Sequence, residues 1–156
     1  MTVPARIRQW ISTAPVLVAC GSSGLTAVGE DGDRLPLRIV SDVRQPDSTQ
    51  TPAAIETASI RGDTLHLRLS YAGGCGGPHE FGLAASSSLS GTEPPRVTVI
   101  LHHDGHGDPC RAGLGQDVIA DLRPLQGIAG DHRTLRVQLY EPWALAPVEP
   151  LLVYTF

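Results

Sequence analysis

The chain has 156 residues with 12 basic and 16 acidic side chains, a net charge of −4, and a length that fits one domain. The basic residues are scattered arginines, so no basic stripe can follow a nucleic-acid backbone, and that class of partner is disfavoured. Glycine (17) and proline (13) are too frequent for long helices, and with 41% hydrophobic residues but only 2 Trp, 3 Tyr and 2 Phe the core must be aliphatic.

The amino terminus reads as an address. Arg6 and Arg8 precede a moderately apolar run, Trp10 to Ala19, which ends in Leu17-Val18-Ala19-Cys20 and then Gly21. A basic start, a short apolar stretch and a small residue before the cut are the parts of a secretory signal. The ending resembles the lipobox of bacterial lipoproteins, Leu-x-Ala-Cys. The resemblance implies cleavage before Cys20, acylation of Cys20, and a place in the cell envelope, lipid-anchored and facing the periplasm or exterior. Ser12, Thr13 and Pro15 interrupt the apolar stretch, and the run is too short to span a bilayer of about 30 Å. Attachment to the membrane would come from the acyl chains. The expected division is therefore a signal peptide over 1–19, a small polar tether over 20–34, and a globular domain over 35–156.

Period-2 patterns follow the tether. "LPLRIVSDV" sets Leu35, Leu37 and Ile39 on one face. "TASIRGDTLHLRLSY" reads as a hairpin, with a strand around Ala58–Ile60, a turn at Arg61-Gly62-Asp63, and Leu65, Leu67, Leu69 and Tyr71 alternating with His66, Arg68 and Ser70. "HEFGLAA" is a short strand candidate. "VTVILHH" sets Val97, Val99, Leu101 and His103 on one side, "TLRVQLY" does the same with Leu135, Val137 and Leu139, and "PLLVYTF" closes the chain. "ADLRPLQGIAG" has room for one helical turn. Short strands separated by turns predict an all-β fold, a small antiparallel β-sandwich or a partly closed barrel.

Two segments carry the chemistry. "YAGGCGGPHEFGL" and "LHHDGHGDPC" are each a strand followed by a glycine-rich turn bearing cysteine and histidine. Together they resemble uncharacterised bacterial envelope lipoproteins with Gly-Gly-Cys-x-x-His-x-Phe, His-Asp-x-x-Gly-Asp-x-Cys and a later Asp-Leu-x-Pro-Leu. The matching residues are Gly73, Gly74, Cys75, His79 and Phe81, then His103, Asp104, Gly107, Asp108 and Cys110, then Asp121, Leu122, Pro124 and Leu125. This chain has one extra residue between Cys75 and His79. The resemblance implies an envelope location and no defined activity.

Three cysteines are an awkward number for an exported protein, but with Cys20 as lipid carrier a pair remains. The leading expectation is a Cys75–Cys110 disulfide, which persists in an oxidising compartment and is worth roughly 3–4 kcal/mol for a loop of this length. The alternative is a zinc or copper site formed by Cys75, His79, His103, Asp104 and Cys110. A variant of it keeps the disulfide and uses His79, His103, Asp104 and His106. Calcium at Asp104 and Asp108 lacks the carboxylate density of a calcium loop.

A catalytic reading would pair His103 with Asp104 or Asp108, or use a reduced Cys75 as nucleophile. No G-x-S-x-G elbow supports it, so no catalytic residues are assigned. The plain reading of "HDGHGD" is turn chemistry, since Asp and Gly suit tight turns and Asp accepts from nearby backbone N–H groups. His103 would then be an inward structural histidine. "RGD" at 61–63 falls where a hairpin turn is expected, and Trp143 reads as a core or edge plug. The function expected is a binding or structural module of the envelope with no cofactor, its protein or small-molecule partner unassigned.

Overall fold

The computed structural model describes residues 33–43, 50–142 and 147–156. The signal peptide over 1–19, Cys20, the tether as far as residue 32, and Trp143 lie outside the described residues. The elements run β1 (Asp33–Leu35), β2 (Leu37–Val40), β3 (Ala53–Arg61), β4 (Thr64–Gly73), β5 (Glu80–Ser86), β6 (Arg96–Asp104), β7 (Ala112–Asp121), α1 (Arg123–Gln126), β8 (Thr134–Tyr140) and β9 (Leu152–Thr155). They form two packed sheets, ordered β1-β7-β4-β3 and β2-β5-β6-β8-β9. The fold is an all-β sandwich and does not close into a barrel.

The alternation along the strands decides which residues meet between the sheets. In β6, Val97, Val99, Leu101 and His103 are buried and their neighbours are not. Leu65, Leu67 and Leu69 of β4 face them from the other sheet, and Leu135, Val137 and Leu139 of β8 extend the same layer. Tyr154 of β9 is fully buried, yet its hydroxyl donates to Asp63 Oδ1 at 2.8 Å and accepts from Gln126 Nε2 at 2.8 Å. That bond ties up the carboxylate of the "RGD" sequence. The turn itself is the expected hairpin: Arg61 pairs with Thr64, and Gly62 takes φ +56° between them, the position at which a two-residue loop calls for glycine.

Two expectations about connectivity need correcting. The sheets are mixed, not wholly antiparallel: β1 runs parallel to β7, β2 to β5, and β6 to β8. Parallel neighbours arise because the chain repeatedly changes sheets, so strands consecutive in sequence are often not paired. The segment around Leu35, Leu37 and Ile39 is also two strands. Pro36, which has no N–H for a ladder, separates them. Leu35 joins the first sheet beside Ala120, and Leu37 and Ile39 join the second beside Leu83 and Ala85. The first strand also takes in Asp33 and Arg34, the end of the stretch read as tether.

The sandwich predicts a sharp contrast between faces. Leu101→Ala, at a fully buried site, should cost about 2–5 kcal/mol in urea unfolding. Val153→Thr, 59% exposed on the edge strand β9, should change stability by no more than about 0.5 kcal/mol. Equal losses would contradict the assignment of faces.

Candidate functional site

Both chemistry-bearing segments are crossovers between sheets. The chain leaves the first sheet at Gly73 and enters the second at Glu80, then leaves the second at Asp104 and re-enters the first at Ala112. The two turns meet at one end of the sandwich. There Cys75 and Cys110 form a disulfide with their Cα atoms 5.5 Å apart, closing a sequence separation of 35. This is the pairing expected from the cysteine count.

Asp108 forms a second link between the same turns. Its Oδ2 accepts the consecutive backbone N–H groups of Gly74 (2.8 Å), Cys75 (3.1 Å) and Gly76 (2.9 Å). Its Oδ1 accepts the N–H of Cys110 at 2.8 Å. Three successive amides converging on one oxygen make an anion-binding concavity, filled here by the chain's own carboxylate. These donors, Cys110 first and then Gly76, hold the Asp108 carboxyl well below the usual carboxylate range. The glycines are what allow the approach. A Cβ on Gly73 would collide with the His79 ring, and one on Gly76 would press on the Asp108 side chain at 3.1 Å. Gly74 takes φ +112°, a backbone conformation that glycine alone adopts readily.

Two histidines continue inward from Asp108. His79 Nε2 lies 3.3 Å from Asp108 Oδ2, and His79 Nδ1 lies 2.8 Å from His103 Nε2. His103 Nδ1 faces the carbonyl oxygens of Thr51 at 3.2 Å and Pro52 at 3.3 Å. Carbonyls only accept, so Nδ1 of His103 carries its hydrogen. In neutral His103 the Nε2 then accepts from His79 Nδ1, and His79 reaches Asp108 with a second N–H only as the imidazolium. Burial, then the nearby His79, lower the pKa of His103, which keeps the hydrogen count of His103 at one. The rings are packed as well as bonded. Phe81 stacks on His103 with centroids 4.4 Å apart, and Tyr71 closes the cluster from β4 at 5.1 Å from Phe81 and 5.2 Å from His103. The end of the core is therefore a polar chain sheathed in aromatic rings.

The structure sorts the sequence-predicted residues into two groups. Cys75 joins Cys110 and His79 meets His103, two pairs bridged by Asp108. Asp104 does not join them: it follows inward-facing His103 on β6, so strand alternation turns it to the opposite face. There its Oδ1 accepts from the His106 N–H at 2.7 Å. His106 is an exposed residue near Glu80 and Asp104, so the set His79, His103, Asp104 and His106 divides between two faces. Asp108, a motif residue and a base or calcium candidate in the sequence, is the residue that joins the turns. Its bond to the amide two residues on was legible in Asp-Pro-Cys; the bonds to residues 74–76 were not. Thr51 was also missed. Its hydroxyl donates to His103 O at 3.1 Å and accepts from Gly105 N at 2.7 Å. Among the described residues, the group of three potential metal ligands within mutual reach is Cys75, Asp108 and Cys110, whose donor atoms all lie within 4.8 Å.

No protein-family model and no curated sequence matches the chain. Solved structures share its fold. A NigD-like immunity protein from Bacteroides caccae superposes with a TM-score of 0.57 at 17% identity, over 79% of this chain and 64% of the other. A putative toxin-related protein from Parabacteroides distasonis superposes with a TM-score of 0.52 at 17% identity, over 78% of this chain and 61% of the other. The chain thus spans less than two thirds of either neighbour, and the likeness is one of fold.

The cluster predicts acid sensitivity of a definite sign. Asp108, lowered in the fold, contributes stability above its ordinary value of 3.8 that is lost as pH falls below it. His103 resists a proton that the unfolded chain takes up below 6.5, so its contribution also fades as pH falls. The urea midpoint should therefore decline from about pH 6.5 downward, with a second decline below about pH 4. Asp108→Asn should shrink the lower step to the share of Asp121, whose carboxyl the Arg123 side chain also lowers, and leave the upper one. A wild-type midpoint that rises on acidification would contradict the geometry. Gly73→Ala should cost about 1–3 kcal/mol in the same measurement, and a neutral result would show that His79 is free to move aside.

Proposed function

We propose that the chain is a lipid-anchored module of the bacterial cell envelope whose globular part binds or supports a partner and carries no catalysis. One observation supports this above the others. The Cys75–Cys110 disulfide uses two of the three cysteines, which leaves Cys20 as the odd thiol, at the end of a sequence that resembles a lipobox. A disulfide that persists belongs to an oxidising compartment, the one to which such a signal leads.

The cluster favours support over catalysis. The His79 side chain is 7% exposed and that of Asp108 2%, and His103 is 1% exposed. Their polar atoms are engaged by one another and by backbone groups. A general base must come within hydrogen-bond reach of a substrate proton, and these groups are already committed. Among the described residues no helix is long and apolar enough to cross a membrane, and in this reading the acyl chains supply the attachment.

The test is expression of the full chain in a bacterial host, followed by membrane fractionation and intact-mass measurement. The mature protein should begin at Cys20, carry the mass of its acyl groups, and be two hydrogens lighter before reduction than after. Cys20→Ala should move it to the soluble fraction. Persistence of Cys20→Ala in the membrane, or a parent chain that never reaches it, would overturn the anchor.

A further inference from the structure

We propose that the disulfide end of the sandwich is a redox-gated site for a thiophilic divalent metal ion, zinc-like in preference, closed while Cys75 and Cys110 are joined and opened by their reduction. The ligands are Cys75 Sγ, Cys110 Sγ and a carboxylate oxygen of Asp108, with solvent in the fourth position. The inference does not rest on the lipid-anchor reading, since it concerns the globular domain alone.

Three observations carry it. The first is proximity. The two sulfurs and an Asp108 oxygen lie within 4.8 Å of one another, and His79, outside that group, backs the carboxylate with Nε2 3.3 Å from Asp108 Oδ2. Two thiolates and a carboxylate, with solvent as the fourth donor, suit tetrahedral zinc. The second is redundancy. Asp108 binds the amides of Gly74, Cys75, Gly76 and Cys110 independently of the sulfurs, so opening the disulfide leaves the two turns facing each other. Asp108 Oδ1 receives one N–H, from Cys110, and so retains a lone pair for an ion. The third is access. Cys75 is exposed, so a reductant can reach its sulfur.

The set differs from the one the sequence suggested. Asp108 takes the place of Asp104, which lies on the opposite face. His103 stays out, because Nδ1 is held by the Thr51 and Pro52 carbonyls and Nε2 by His79. It orients His79, which in turn backs the ligand carboxylate of Asp108, and such supporting partners tune metal affinity.

The gating step balances simply. A dithiol attacks the Cys75–Cys110 bond through its thiolate, the S–S bond breaks, and the reductant closes into its own disulfide. Two electrons and two protons pass to the protein, giving two thiols. Binding of a divalent ion then displaces both thiol protons to solvent.

The experiment uses the full chain carrying Cys20→Ser, so that the thiols counted are those of the pair. The protein is reduced with a dithiol, desalted without oxygen and titrated with zinc, and in parallel with cobalt(II). The reduced chain should bind one equivalent and show thiolate-to-cobalt charge-transfer absorption. The oxidised chain should show neither. Asp108→Asn and His79→Gln should each weaken zinc binding by about tenfold or more, with a β-sheet circular dichroism spectrum as the check on folding. His79→Gln decides the matter should Asp108→Asn fail to fold. The proposal is overturned by a reduced chain that takes up no stoichiometric metal, by equal uptake when oxidised, or by folded variants that bind as tightly as the parent. Loss of the β-sheet spectrum on reduction alone would also overturn it, because the site needs turns that survive without the disulfide.

Discussion

A single carboxylate holds one end of this sandwich together. Asp108 gathers four backbone N–H groups from two turns whose closest residues are more than thirty positions apart in sequence. Hydrogen bonds to an ionised acceptor are about twice as strong as neutral ones. The amides of residues 74–76 lie on the exposed rim, where water can replace a lost acceptor, so the unpaired-donor cost of about 1–3 kcal/mol falls on the part-buried amide of Cys110. The glycine content of both turns follows from this. Side chains at positions 73 and 76 would occupy the space the carboxylate and its histidine neighbour need.

The rest of that end is arranged around the same charge. His79 reaches Asp108, His103 orients His79, and the carbonyls of Thr51 and Pro52 fix His103. Polar groups drawn this far into a core must be satisfied there. Both nitrogens of His103 face partners, and Phe81 and Tyr71 pack against its ring. The disulfide lies outside this cluster and duplicates the tie that Asp108 makes. In the chain-entropy view the disulfide acts chiefly on the unfolded chain, whereas Asp108 acts on the folded turns. The two links therefore stabilise different states of the same connection.

Much of the architecture was legible because strand alternation is a strict code. The inward sets Val97, Val99, Leu101 and His103, and Leu65, Leu67 and Leu69, are the buried sets of the sandwich. The disulfide was legible from cysteine arithmetic, and the helical turn at Arg123–Gln126 from its place after a strand. Strand neighbours were not legible. Parallel pairing of β6 with β8 depends on where the chain changes sheets, and no local pattern reports that. Pro36 did carry a local signal, a missing donor, that one continuous face over Leu35, Leu37 and Ile39 overlooks. At the site the sequence named the cysteines and histidines but set Asp104 beside them, because it adjoins His103. Adjacency in a strand means opposite faces, and the acid that reaches the histidines, by way of His79, is Asp108, brought back by the turn.

The central claim is that Asp108 holds the two turns together whether or not the disulfide is present. Amide hydrogen exchange at Gly74, Gly76 and Cys110, followed by NMR in the oxidised and the reduced protein, tests it most directly. The account predicts that these amides stay protected after reduction, well above the level of the exposed turn residue Gly107. Exchange at the unprotected rate once the disulfide is opened would contradict it and assign the tie to the sulfurs alone.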